Sequence, residues 1–349
     1  REALAACMET SREAMARAKD VRVELEDRRD PADPRSLEAR LTPVLDGSGE
    51  ARHFVGIVND VTLRKRAALQ ALIERLLAPE PAVQAVLAVG SIATGRARAD
   101  SDIDAVVWLD PFDPYIVPAE FIWRPSDGSF HSIFGELAET AEDAQFDLHR
   151  LDLAAWREPR HVWPDGLLAD LSTAWWAYTR TPAVAAWLAE RIAYPAELSL
   201  QRVDEALVWL DQLLDEGHPE RVWQTVGPLA AHDRLWAAYD WLAAALFACQ
   251  RRWRPWRNRE MEHLLALPWL PAGAPAWLEA VLTPPGEGEA AYAARVAALR
   301  ALYGALCAHL QASGAYGEDP ISEAFVRAHD EPGRAWNMDA WQRAHDARG

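Results

Sequence analysis

Two short apolar runs, AVQAVLAV at 82–89 and IDAVVWL at 103–109, bracket a glycine–serine pair, a loop of small residues and an acidic turn. Valine-rich runs of that length, bounded by Gly, Ser and Asp, read as buried strands rather than as turns of helix. The second strand opens with SDID, so Asp102 and Asp104 lie two residues apart. Side chains at i and i+2 of a strand share a face, which sets the two carboxylates side by side while Ile103 points into the core. Two like charges held that close repel one another unless a cation lies between them, and Mg²⁺, which takes a few carboxylate oxygens together with substrate phosphates, is the natural one. Upstream, Gly90 permits close backbone approach to a phosphate and Ser91 offers a hydroxyl, while IATGRARAD (92–100) supplies backbone N–H groups around Gly95.

Gly90, Ser91, Gly95, Ser101, Asp102, Ile103 and Asp104 together resemble the signature of the nucleotidyltransferase superfamily of the polymerase beta type, and within it the small bacterial and antibiotic-modifying members. The resemblance implies two Mg²⁺ ions held by Asp102, Asp104 and a third acid on a neighbouring strand, with Gly90, Ser91 and Thr94 meeting the phosphates of ATP as co-substrate. A substrate hydroxyl then attacks the α-phosphorus and pyrophosphate leaves. Asp147, in the strand-like run QFDLHRLDL, is the expected third carboxylate, as metal ligand or general base; Asp152 and Glu136 are its rivals. The basic cluster CQRRWRPWRNRE (249–260) stands out in an acidic chain, and Arg257 within it is expected either to reach the nucleotide phosphates or to pair with Glu260 and Glu262 at a helix end.

The first segment carries strand-like runs, DVRVELEDR, RSLEARLTPVLD and ARHFVGIVNDVT, after a helical REALAACMETSREAMARA. The ending FVGIVNDVT followed by RKRA at 64–67 resembles the C-terminal half of a PAS domain, where the last strand passes into a linker helix. Val58 stands where the flavin-binding, light-sensing branch has glutamine, so the expected role is a folded cap, a dimerisation element or a regulatory attachment, not a photosensor. Leu69, Leu72, Ile73, Leu76 and Leu77 then recur at helical spacing. A hairpin around Ser126–Asp127–Gly128 and a short helix are expected before the Asp147 strand. From about residue 165 the chain reads as Trp- and Ala-rich amphipathic helices broken at Pro and Gly, with a polar tail after GAYGEDP.

The resulting expectation is an α+β chain: a partial PAS-like β segment at 1–66, a small mixed β-sheet nucleotidyltransferase core at 67–160, and an α-helical domain at 161–349 that binds substrate or nucleotide. The 36 Lys and Arg against 53 Asp and Glu give a net charge of −17, which disfavours nucleic acid as partner and suits a small or cationic acceptor. Three dispersed cysteines without a CxxC suit a reducing cytoplasm, and no apolar run is long enough for a membrane span. The N-terminal residues lack the order of a signal peptide, and a sequence starting at Arg1 reads as a fragment. The chemistry therefore points to a cytoplasmic enzyme that moves a nucleoside monophosphate, AMP from ATP, onto a hydroxyl of an aminoglycoside-like small molecule. The alternative is a PAS-linked regulator that nucleotidylates a protein or only senses nucleotide.

Overall fold

The computed structural model describes residues 21–27, 30, 33–48, 51–112, 121–123, 146–283, 286, 288–329 and 343. The N-terminal helical run, the hairpin around Ser126–Asp127–Gly128, the short helix after it, Glu136 and most of the polar tail lie outside these residues. Contacts divide the chain into two compact units: Arg1–Pro164 with Asp170–Ile192, and Asp165–Ala169 with Ala193–Gly349.

The first unit holds two sheets. Strands β1 (Val21–Asp27), β2 (Arg35–Leu45) and β3 (Ala51–Asp60) form an antiparallel meander in that order, on the three runs where the sequence places strands. At the end of β3, the Asp60 carboxylate accepts from Leu63 N at 2.7 Å and caps helix α1 (Val61–Leu72), which widens into a π turn over Ile73–Leu77. An N-cap aspartate satisfies one of the orphan N–H groups of a helix start, so the strand-to-helix transition is written in the Asp60–Val61–Thr62 sequence itself.

The second sheet runs β6 (Phe121–Trp123), β7 (Phe146–Asp152), β5 (Ile103–Leu109), β4 (Val83–Ala88), β8 (Trp175–Thr179). It is mixed: β5 and β7 are parallel, and the remaining pairs are antiparallel. Along β5 the alternation sorts Ile103, Ala105, Val107 and Leu109 onto a core shared with Leu69, Leu72, Ile73 and Leu77 of α1 and its π turn. Asp104, Val106 and Trp108 take the opposite face, where Trp108 packs on Trp156 and Trp163 at ring-centroid distances of 5.5 and 5.1 Å. Trp108, Trp156 and Trp163 therefore serve packing here.

One stretch departs from the helical reading of 165–179. A helix, α4 (Asp165–Ser172), follows the short helices α2 (Gly90–Thr94) and α3 (Leu153–Arg157), but Trp175–Thr179 is the edge strand β8. Trp, Tyr and Thr favour a pleated, half-buried surface, and the exposed flank of β4 gives that preference a ladder to join. Helix α5 (Pro182–Ile192) completes this unit.

The second unit is helical: α6 (Ala196–Leu214), α7 (His218–Thr225), α8 (Pro228–Ala248), α9 (Arg257–Leu265), α10 (Ala274–Leu282), α11 (Glu289–Ala312) and α12 (Pro320–Ala328). Its core gathers Leu207, Leu210, Leu235, Leu242, Leu246, Leu299 and Leu306, all essentially without exposure. Gly227–Pro228 ends one helix and starts the next, since proline at the first helical position gives up an N–H that has no partner anyway. Helix α12 forms inside the stretch read as polar tail, capped by the Asp319 side chain on Ser322 N.

Candidate active site

Strand β4 delivers the chain to Val89, whose N–H donates to the Asp104 carbonyl at 3.0 Å and so ties the turn to β5. Gly90 then turns at φ +65°, in the region that disfavours side chains. A Cβ there would stand well inside van der Waals contact of Asp104 Oδ2. Glycine is therefore required twice over, by backbone and by the neighbouring carboxylate. Helix α2 ends at Gly95, also left-handed, where a Cβ would run into the backbone of Pro34 in the loop before β2.

Asp104 and Asp147 are register partners on parallel β5 and β7, and Asp102 precedes β5 on the same side. One oxygen from each of Asp102, Asp104 and Asp147 lies within 4.8 Å of the other two, and all three side chains are half-buried. Among the described residues, Asp147 is thus the acid that joins the pair. Its rival Asp152 is spent on local structure, accepting from Ala154 N and Ala155 N at 2.9 and 3.2 Å to cap α3. Ser91, beside Gly90, keeps its Oγ buried with no hydrogen-bond partner among the described residues. A buried hydroxyl left that way costs free energy comparable to a lost hydrogen bond, which a bound oxyanion would recover. Thr94 is committed instead to its own helix, Oγ1 donating to the Gly90 carbonyl at 3.0 Å. Arg257 opens α9 in the second unit, where Nη1 donates to Glu260 at 2.5 Å and stands 3.7 Å from Asp240.

Two basic residues that the motif does not include border the site. Lys65 of α1, 5% exposed, donates from Nζ to the carbonyl of Ser101, the residue before Asp102. Burial pushes its ammonium below the usual lysine range and nearby Arg64 adds to that, while Asp102 and Asp100 act the other way. Arg66 donates from Nε to the Ile92 carbonyl at 3.2 Å and from Nη1 to Asp33. The signal for Lys65 is present in the sequence: it falls four residues before Leu69, on the apolar stripe of its helix, where a lysine is out of place unless it has a partner.

Residues 69–157 match the family model described as nucleotidyltransferase domain, and residues 3–66 match the one described as PAS fold. This chain carries a nucleotidyltransferase domain. The match encloses Gly90, Ser91 and all three clustered aspartates, and the PAS-fold match ends on Lys65 and Arg66. Among solved structures, the chain is similar to a nucleotidyltransferase-like protein from Exiguobacterium sibiricum 255-15, at 12% identity and a TM-score of 0.39 over 78% of this chain and 82% of that one. No curated protein matches it. Among the described residues, no helix is long and apolar enough to cross a membrane.

The nucleotidyltransferase residues fit divalent metal and phosphate. Three convergent carboxylates offer hard oxygen donors, Ser91 Oγ has no partner among the described residues, and the missing Cβ of Gly90 leaves the Asp104 carboxylate clear.

Proposed function

We propose that the protein transfers a nucleoside monophosphate, AMP from ATP, to a hydroxyl of a small molecule and releases pyrophosphate. The observation that carries this reading is the convergence of Asp102, Asp104 and Asp147 beside the unpartnered Ser91 hydroxyl. Asp102, Asp104 and Asp147 would hold two Mg²⁺ ions, whose charge, when bound, neutralises phosphate oxygens and eases ionisation of the acceptor hydroxyl. Ser91 Oγ donates a hydrogen bond to a phosphate oxygen, and Gly90 lets the backbone approach it. Asp147, across from Asp104 in the strand register, takes the proton of the acceptor hydroxyl. The hydroxyl oxygen bonds to the α-phosphorus, the bond to the bridging oxygen breaks, and pyrophosphate leaves with its electron pair. Thr94 is assigned a supporting part, holding α2 closed beneath Ser91.

The acidic balance of the chain favours a cationic acceptor of the aminoglycoside kind. The test is pyrophosphate release from each of the four nucleoside triphosphates with Mg²⁺ across a panel of aminoglycosides and lincosamides. Release that requires one acceptor and disappears in Asp104→Asn is the expected result. Activity in Asp104→Asn equal to that of the parent would overturn it.

The PAS-fold match favours a second reading, in which the acceptor is a protein or the nucleotide is only sensed. Incubation with α-labelled nucleoside triphosphate then marks a protein band in place of a small molecule, or marks nothing while nucleotide still binds.

A further inference from the structure

Consecutive residues of one helix reach the two halves of the nucleotidyltransferase motif. Lys65 holds the Ser101 carbonyl, one residue before Asp102, and Arg66 holds the Ile92 carbonyl, one residue after Ser91. Both lie at the end of the segment that matches the PAS fold, outside the segment that matches the nucleotidyltransferase domain. The helix is itself fixed from the PAS side: Thr62 Oγ1, fully buried, accepts from Ser36 N at 2.9 Å, and Asp33 bridges Arg66 and Arg35. Arg66 also lies over the Trp175 ring at 5.3 Å, which fixes its guanidinium from the sheet side.

Asp102 precedes the first residue of β5, so no ladder pairing holds it. Its carboxylate stays near those of Asp104 and Asp147 only as well as the Ser101–Asp102 backbone is held, and electrostatic repulsion within the cluster works against that. The Ser101 carbonyl anchored by a buried lysine answers this need. The Ser91 hydroxyl has a parallel requirement, because α2 is a short helix whose placement depends on external contacts.

We infer that Lys65 and Arg66 are positioning residues of the active site: Lys65 holds Asp102 in the metal cluster, and Arg66 holds Ser91 at the phosphate position. The inference rests on the proposed nucleotidyl transfer. It assigns the C-terminal end of the PAS-fold segment a direct part in building the nucleotidyltransferase site, so that anything displacing α1 is felt by metal through Lys65 and by nucleotide through Arg66.

The test uses the full chain and measures Mn²⁺ binding by loss of the free-ion paramagnetic resonance signal, without turnover. In Lys65→Met the stem is kept and the donor lost, and the Mn²⁺ dissociation constant rises about tenfold, the scale of losing an outer partner of a metal ligand. Lys65→Arg, which keeps a donor, restores binding. Removing a positive charge beside carboxylates would on its own tighten Mn²⁺, so the sign separates positioning from charge. Unchanged or tighter binding in Lys65→Met overturns the assignment of Lys65. Where Lys65→Met does not fold by circular dichroism, Arg66→Met carries the test: ATP binding in the presence of Mn²⁺ weakens while Mn²⁺ binding alone holds, and unaltered ATP binding overturns the inference. Parent protein whose Mn²⁺ binding is absent, or is indifferent to Asp104→Asn, overturns the functional reading and this inference with it, whereas loss confined to Asp104→Asn overturns the inference alone.

Discussion

Asp104 and Asp147 face each other directly across parallel strands, partners in the β5–β7 register. With Asp102 they form a half-buried group of three acids that carries an internal electrostatic penalty until a cation arrives. Replacing Asp104 by Asn therefore has two effects of opposite sign. In metal-free, low-salt buffer the melting temperature rises, because a repulsive charge is gone. With Mg²⁺ and nucleotide, turnover falls about 100-fold or more, since loss of a ligand exceeds the effect of losing its outer partners. Scanning calorimetry with and without Mg²⁺ checks both: the ion raises the melting temperature of the parent and leaves that of the variant unmoved.

What the sequence shows plainly is what depends on near neighbours. Gly90, Ser91, Asp102 and Asp104 lie within one loop and two strand ends, and alternation along IDAVVWL already separates acids from core. Asp147 is legible as an acid in an apolar run, but its selection over Asp152 needs the strand register, where Asp147 pairs with Asp104 and Asp152 with Leu109. The strand at Trp175–Thr179 is hidden because Trp and Ala also suit helices, and only the open flank of β4 decides between them. Lys65 is marked by its place on the apolar stripe of its helix, but its partner is not. Its meaning lies in a contact with Ser101, 36 residues away, which no local pattern encodes.

Gly90→Ala tests the crowding at the turn. The substitution places a methyl against Asp104 Oδ2 and forces a side chain to φ +65°, at a cost of about 2 kcal/mol or more. Gly314→Ala, with φ +72° and open space around the new Cβ, is the control and costs about 1 kcal/mol. Urea titration measures the difference between the two. Metal binding should weaken in Gly90→Ala alone, because only there must a carboxylate of the cluster move.

Glu260 is buried in the helical unit and accepts from Arg254 Nε and Arg257 Nη1 at 2.5 Å and from Tyr239 Oη at 3.0 Å. Glu260→Gln leaves two guanidinium groups short of a buried counter-charge and lowers stability by about 3 kcal/mol, which chemical denaturation reads directly. Tyr239 supplies a spectroscopic check. Burial first, and then Glu260, push its hydroxyl up to about 12 from 10.0. A raised folded value means that stability holds below pH 10 and falls as pH rises toward about 12. In Glu260→Gln the phenolate absorbance moves to lower pH, though not to the free value, because burial remains.

Asp33 gives the acid-side counterpart in the PAS-fold segment. Hydrogen bonds from Arg35, then Arg66, hold its carboxyl below the ordinary value of 3.8. A depressed folded value makes its contribution fully present above that ordinary value, and the contribution is lost as pH falls through the lower folded one. The side chain is 30% exposed and water screens the pair, so the loss is under about 1 kcal/mol. Asp33→Asn should lower stability at neutral pH by that amount and flatten the acid limb accordingly, so that parent and variant converge below the folded value. The same variant frees Arg66 from its PAS-side partner while its bond to Ile92 remains available. Nucleotide binding in Asp33→Asn should therefore weaken less than in Arg66→Met, with Mn²⁺ binding unaltered in both. An equal loss of nucleotide binding in the two variants would show that Arg66 acts through Asp33 alone and that its contact with Ile92 contributes nothing.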